Sequence, residues 1–132
     1  MLNELTSIRY LSYEEILYIH KNQIEEYGGS FGIRDKSLLE SAIAQPFSGF
    51  DNQEFHTGLI QKAAAYLFYL CKNHSFIDGN KRVVLASALI FLDLNGVEME
   101  NQEDSLYEVT IGVADGSVSL EGVIKTFEKL KL

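Results

Sequence analysis

Hydrophobic residues recur at helical spacing along most of the chain, and no segment shows a convincing alternation of polar and apolar positions. The first helix should begin after Ser12, because Glu15 follows three residues later and completes a capping box. It should end at Gly28-Gly29. Its inner face is expected to carry Ile16, His20, Ile24 and Tyr27.

Five further helices are predicted from the same spacing. The segment 57–72 is apolar nearly all round, which is typical of a helix at the centre of a bundle. The run 83–94 is apolar apart from Ser87 and Asp93, and it is too long for a strand. We therefore predict an all-α fold, a compact single-domain bundle of about six helices. The later helices are expected from Asp35 or Ser37 to about residue 45, and over residues 57–72, 81–94, 102–114 and 120–130.

The composition fits one soluble domain covering residues 1–132, since 46% of the residues are hydrophobic and 23% are charged. Lysine and arginine number 11 against 19 acidic residues, and the net charge of −8 argues against direct nucleic-acid binding and against a membrane surface. No apolar stretch approaches the ~20 residues that span a bilayer, and no signal peptide opens the sequence. Cys71 stands alone, which excludes a disulfide or zinc framework, and we expect a cytoplasmic location.

The stretch 73–82 breaks a local electrostatic rule. Gly79-Asn80 indicates a turn followed by a good N-cap residue, so the next helix should begin near Lys81. Lys81 and Arg82 then lie in the first helical turn, where the macrodipole is already positive and acidic residues are expected. A bound anion, held by the backbone N–H groups and both cations, would resolve the conflict.

Two side chains beside this helix start could act on such an anion. His74 is suited to accepting a proton near neutral pH, and Asp78 could hold a magnesium ion together with phosphate oxygens and water. Gly79 would let the backbone approach the phosphates that residues 80–82 cradle. The combination favours metal-assisted transfer of a phosphorus group from a nucleotide to a hydroxyl. For any one of these residues alone, a capped helix after a solvated loop is the simpler interpretation.

The same residues resemble the signature of the Fic/Doc family, and specifically its death-on-curing (Doc) toxin branch. The segment 74–82, His-Ser-Phe-Ile-Asp-Gly-Asn-Lys-Arg, follows the family pattern His-x-Phe-x-Asp/Glu-Gly-Asn-Gly-Arg. Lys81 replaces the second glycine and Leu85 the second arginine, and both departures match the Doc branch. The similarity extends to residues 27–29, 87–92, 95–96 and 110–114, and so to nearly the whole chain.

This resemblance implies the Fic fold, with ATP and Mg2+ as ligands. Doc toxins transfer the terminal phosphate of ATP to a threonine of elongation factor Tu and so block translation. Typical Fic enzymes transfer AMP to a protein hydroxyl, and this remains an alternative, as does a catalytically silent binding module of the same fold. The resemblance also implies a partner, a small antitoxin whose C-terminal segment folds into a groove near the nucleotide site.

Further residues are expected to support the motif. Phe76 should plug the motif loop into the core and leave the polar side chains facing out. His20 is expected as a hydrogen-bonded core histidine or as a second layer of the site. Lys72 either joins the phosphate cradle or is a solvated lysine that ends a helix. Residues 46–55 predict a loop anchored by its phenylalanines, and in Fic-type proteins the corresponding segment is a flap that positions the target; we call it the flap.

Overall fold

The computed structural model describes residues 7–51 and 53–132. Within these ranges the chain forms six helices and one short hairpin, which confirms the predicted all-α class. The helices are α1 (Tyr13–Tyr27), α2 (Lys36–Ala44), α3 (Leu59–Asn73), α4 (Asn80–Leu94), α5 (Glu103–Asp115) and α6 (Leu120–Leu130). A 3-10 turn, Gln45–Phe47, follows α2, and β1 (Gly49–Phe50) pairs antiparallel with β2 (Gln53–Glu54).

Helix α3 lies at the centre and contacts α2, α4, α5 and α6. Residues 63–67 of this helix are fully buried, as its apolar pattern predicts. Each large apolar side chain buried in this way stabilises the fold by ~1.5–3 kcal/mol. Buried Tyr66 also accepts a hydrogen bond from the Leu11 N–H at 2.9 Å, which attaches the segment before α1 to the central helix.

The predicted caps are largely confirmed. Ser12 and Glu15 form the expected capping box, Asp35 caps α2, and Ser119 caps α6. Thr57 does not open α3, because Gly58 at φ +84° breaks the helical conformation and α3 begins at Leu59.

Two expectations of burial and structure were wrong. Tyr27 was assigned to the inner face of α1, but as the last residue of that helix it is 54% exposed, and Ile19 is buried instead. The flap was expected to be a loop, but it contains the hairpin β1–β2. This hairpin is only two residues long on each side, too short for an alternating pattern to be visible in the sequence.

The packing of three helices brings the motif residues together. Helices α3 and α4 pack side by side and are joined by the short loop 74–79, while α1 packs across α4. The C-terminal end of α3, the N-terminal end of α4 and the second half of α1 therefore meet. Among the described residues, no helix combines the length and apolar character needed to cross a lipid bilayer.

Candidate functional site

The loop 74–79 is held in place by the segment that follows α1. Ile33 forms an antiparallel bridge with Phe76, and the Ile77 N–H donates to the Gly32 carbonyl at 3.0 Å. The Ser75 carbonyl in turn accepts from the N–H groups of residues 34 and 35, at 2.6 and 3.1 Å. The loop backbone is thus hydrogen-bonded along one side, as in a β-strand. These bonds fix the backbone positions from which the side chains of the loop extend.

His74 lies at the C-cap of α3 in the left-handed conformation, with φ +47° and ψ +54°. The Arg34 guanidinium holds this cap, since Nε donates to the His74 carbonyl at 2.7 Å and an Nη donates to the Asn73 carbonyl at 3.1 Å. Carbonyls at a helix C-terminus have no partner within the helix, and a cation there is favoured by the dipole. Sequence reasoning missed Arg34, which lies 40 residues before His74 and carries no motif of its own.

Asn80 is not the N-cap of α4, contrary to the prediction. The helix begins at Asn80, and Gly79 at φ +72° takes the N-cap position without a side-chain cap. The Asn80 side chain instead closes the loop, because Oδ1 accepts from the Phe76 N–H at 3.0 Å and Nδ2 donates to the Phe76 carbonyl at 2.8 Å. A polar side chain placed just before an apolar helix predicts a cap, and only the folded loop shows that its partner is Phe76.

The same amide orients the His74 imidazole. The two bonds to Phe76 fix which atom of the Asn80 amide is nitrogen, and this nitrogen lies 3.5 Å from His74 Nε2. An amide N–H can only donate, so Nε2 is the acceptor nitrogen of the neutral ring. His74 itself is exposed, and at 3.5 Å the contact with the Asn80 amide is long, so a substrate hydroxyl can replace the amide at the Nε2 lone pair.

The Asp78 carboxylate lies at the mouth of the loop and is exposed. Oδ1 accepts from the Gly79 N–H at 2.9 Å, and Oδ2 accepts from the Ser30 N–H at 3.2 Å. Each oxygen keeps a further lone pair, so the carboxylate can still take a cation. Within residues 7–51 and 53–132 no cluster of three potential metal ligands occurs. A single carboxylate suits Mg2+, which prefers one or two carboxylates completed by phosphate oxygens and water.

His20 and Phe76 support the loop from below. Phe76 is 1% exposed and stacks on the His20 ring at 4.1 Å between centroids. His20 Nε2 lies 2.9 Å from the Asp78 carbonyl and must donate to it, which leaves buried Nδ1 without a partner. Burial lowers the pKa of His20, while the hydrogen bond to Asp78 opposes the shift, so the neutral ring is favoured in the folded protein.

Lys81 and Arg82 are exposed at the start of α4 and line a cleft of about 210 Å³. The first backbone bond of the helix runs from the Val83 N–H to the Gly79 carbonyl, so the amides of residues 80–82 have no acceptor within the helix. The Arg82 guanidinium lies over the Tyr27 ring at 4.0 Å and near the Tyr107 ring at 5.5 Å. The cleft is lined by Gln23, Ile24, Gly28, Asp78, Gly79, Asn80, Lys81, Arg82 and Tyr107.

Lys72 does not line this cleft. It is exposed in the last turn of α3, where a cation is favoured by the helix dipole, and its Nζ lies 5.8 Å from the centre of the Phe68 ring. The structure therefore brings His20, Phe76 and the residues of the segment 78–82 together at one corner, with His74 beside Asn80, and leaves Lys72 outside the cleft.

A model of the Fic/DOC family matches residues 10–92, which is more than half of the chain. The chain belongs to the Fic/DOC family. The matched range runs from the segment before α1 almost to the end of α4, and it contains every side chain described above for the candidate site except Tyr107. Family membership thus rests on the part of the fold that builds the corner between α1, α3 and α4.

Two curated Doc proteins are similar to this member of the Fic/DOC family. The protein kinase Doc of Escherichia phage P1 is 35% identical over 123 residues, which cover 93% of this chain and 96% of the phage protein. The toxin Doc of Mycolicibacterium smegmatis (strain ATCC 700084 / mc(2)155) is 38% identical over 89 residues, covering 63% of this chain and 68% of that protein. The phage relative extends the similarity beyond α4, across nearly the whole chain.

Proposed function

We propose that this chain is a Doc-type toxin, a protein kinase that transfers the γ-phosphate of ATP to a threonine hydroxyl of elongation factor Tu and thereby blocks translation. The observation that carries the proposal is the placement of two cations and three unpaired backbone amides at the start of α4, next to an exposed carboxylate and an exposed imidazole. The name of the phage P1 relative, a protein kinase, supports the same reaction. A cytoplasmic location follows from the nucleotide and the target.

The polar residues at the two ends of the motif, together with Gly79, have distinct roles in this reaction. His74 accepts the hydroxyl proton at Nε2, the hydroxyl oxygen bonds to the γ-phosphorus, the bond from that phosphorus to the bridging oxygen breaks, and ADP leaves. Lys81, Arg82 and the amides of residues 80–82 bind the phosphate oxygens, and Gly79 leaves room for them. Mg2+, when bound, neutralises phosphate charge, and Asp78 would hold it.

Lys81 favours transfer of the terminal phosphate rather than AMP. Its ammonium occupies space that a glycine leaves empty, at the first turn of α4 where phosphate oxygens would contact the backbone. A nucleotide seated there is therefore positioned differently from one in a double-glycine loop. A different position of the nucleotide agrees with the resemblance to the Doc branch of the family, whose members transfer the terminal phosphate and not AMP.

Labelled ATP tests the proposal directly. The protein is incubated with Mg2+, purified elongation factor Tu and ATP labelled at either the α or the γ position. We expect elongation factor Tu to be labelled by γ-labelled ATP alone, whereas labelling by α-labelled ATP would show AMP transfer. The same incubation is repeated with a bacterial lysate in place of the purified factor. If no protein of the lysate is labelled, the chain is a catalytically silent module. His74→Asn should abolish transfer without unfolding the protein, because asparagine tolerates the left-handed conformation. Lys129→Asn, which introduces the same side chain at an exposed position of α6 outside the motif, is the control and should leave transfer intact.

We further propose that a cognate antitoxin inserts its C-terminal segment into a second cleft of about 310 Å³. This cleft shares Arg82 and Tyr107 with the phosphate cleft, so an occupant would touch the nucleotide site. Leu85 and Leu89 of α4 give the lining of this cleft an apolar part. The acidic residues 103–104 add negative charge to the lining, which suits a basic segment. Leu89→Glu should abolish neutralisation of growth arrest and leave the arrest itself; a variant still neutralised would place the antitoxin elsewhere.

A further inference from the structure

Lys62 is a fully buried lysine on α3 that plays no part in the proposed reaction. Its side chain is 0% exposed, yet its Nζ has three hydrogen-bond acceptors. These are the Pro46 carbonyl at 3.1 Å, the Glu54 carboxylate at 2.8 Å and the His56 carbonyl at 2.8 Å. An ammonium group has three N–H bonds, so each of them is used.

All three acceptors belong to the flap or border it. Pro46 begins the flap, Glu54 ends the strand β2, and His56 is the first residue after the flap. One cation on the central helix therefore holds both ends of the flap. A buried charge without acceptors is strongly disfavoured, so the charge selects the flap position in which the three oxygens converge.

Two aromatic contacts extend this arrangement. The Tyr10 ring lies 5.5 Å from Lys62 Nζ and meets Phe47 of the flap edge to face at 5.4 Å. The His56 ring lies 5.9 Å from that of Tyr69, which is five residues before His74 on α3. The flap thus lies along the same helix that carries the motif histidine at its end, and it presents Phe47 and Phe55 at 51% and 63% exposure.

We propose that Lys62 is a positioning residue for the protein substrate. It fixes the flap on α3, and the flap with its exposed phenylalanines then receives the substrate beside His74. The identity of the reaction in this inference rests on the proposed function. The link between Lys62 and the flap rests only on the hydrogen bonds described above. Lys62 touches no group of the phosphate cleft, so its removal should weaken the binding of the protein substrate and spare that of ATP.

The test compares Lys62→Met with Lys129→Met, which removes an exposed lysine from α6. Chymotrypsin cleavage after Phe47 and Phe55 reports the flap, and should be about tenfold faster in Lys62→Met because cleavage follows the opened population. The KM for elongation factor Tu, the acceptor of the transfer assay, should rise about tenfold, while kcat and the KM for ATP stay within about twofold. Lys129→Met should match the wild type in every measurement.

A second variant keeps the test decisive if Lys62→Met fails to fold. Glu54→Gln removes the negative charge from a half-exposed side chain and retains an oxygen that can accept from Lys62. It should give smaller changes in the same directions. Unchanged cleavage in the folded variants would overturn the role of Lys62, and faster cleavage with an unchanged KM for the protein would overturn the role of the flap in docking. If the wild type transfers no phosphate, the proposed function fails, and the cleavage rates still decide whether Lys62 holds the flap.

Discussion

Replacing Asn80 by alanine distinguishes a side chain that holds the loop from one that binds nucleotide. The variant removes both the acceptor for the Phe76 N–H and the donor to the Phe76 carbonyl, and Phe76 is buried. Each buried backbone group left without a partner costs about 1–3 kcal/mol. A water entering the vacated space would offset part of this, so we expect the free energy of unfolding to fall by about 2–4 kcal/mol.

Urea unfolding followed by circular dichroism measures this loss, since the chain has no tryptophan for a fluorescence signal. The midpoint should fall while the denaturant dependence stays constant, which indicates a change in stability alone. Asn22→Ala removes the same atoms from an exposed position on α1 and should stay within about 0.5 kcal/mol of the wild type. A loss below about 0.5 kcal/mol for Asn80→Ala, combined with lost ATP binding, would refute our reasoning and assign the amide to the phosphates.

Two further predictions concern the support of the same loop. Because burial lowers the pKa of His20 from 6.5, the unfolded chain takes up a proton at this residue before the folded protein does, and the free energy of unfolding falls as the pH drops below about 6.5. In His20→Gln the free energy of unfolding, measured with urea across this pH range, should fall less. An identical pH profile for the variant and the wild type would contradict this prediction. Gly79→Ala should lose about 1–2 kcal/mol by thermal unfolding, because φ is +72° and the new Cβ would lie 3.0 Å from Ile24 Cδ1. Gly96→Ala, at φ +78° with no atom within 4 Å, isolates the backbone cost, and equal losses would show that the Ile24 contact is harmless.

The helices were predictable because their signals are local. Hydrophobic spacing and the caps at Ser12, Asp35 and Ser119 set most of the helix ends in the described part of the chain. The flap hairpin was missed because its stability comes from outside its own sequence. A buried ammonium from α3 binds the flap that contains the hairpin at both of its ends, and nothing in the flap sequence indicates a lysine that follows it in the chain.

The candidate site divides in the same way. The motif predicted the polar side chains of the segment 74–82 as the candidate site, and the structure groups them around the start of α4. The supporting contacts could not be predicted, since the bond from Arg34 to His74 and that from His20 to Asp78 join segments 40 and 58 residues apart. The partner of Asn80 was also missed, because the choice between capping a helix and closing a loop depends on where the Phe76 backbone folds.

The left-handed backbone at His74 has a consequence for how this protein could lose its activity. Glycine is the residue that adopts this left-handed C-cap conformation at least cost. Histidine at this position therefore lowers the free energy of unfolding by about 1 kcal/mol relative to glycine. If His74 is the proton acceptor that we propose, replacement by glycine should yield a chain that is more stable than its parent and transfers no phosphate. Selection on folding alone would favour glycine at this position, so a histidine here is expected where its imidazole contributes to the proposed reaction.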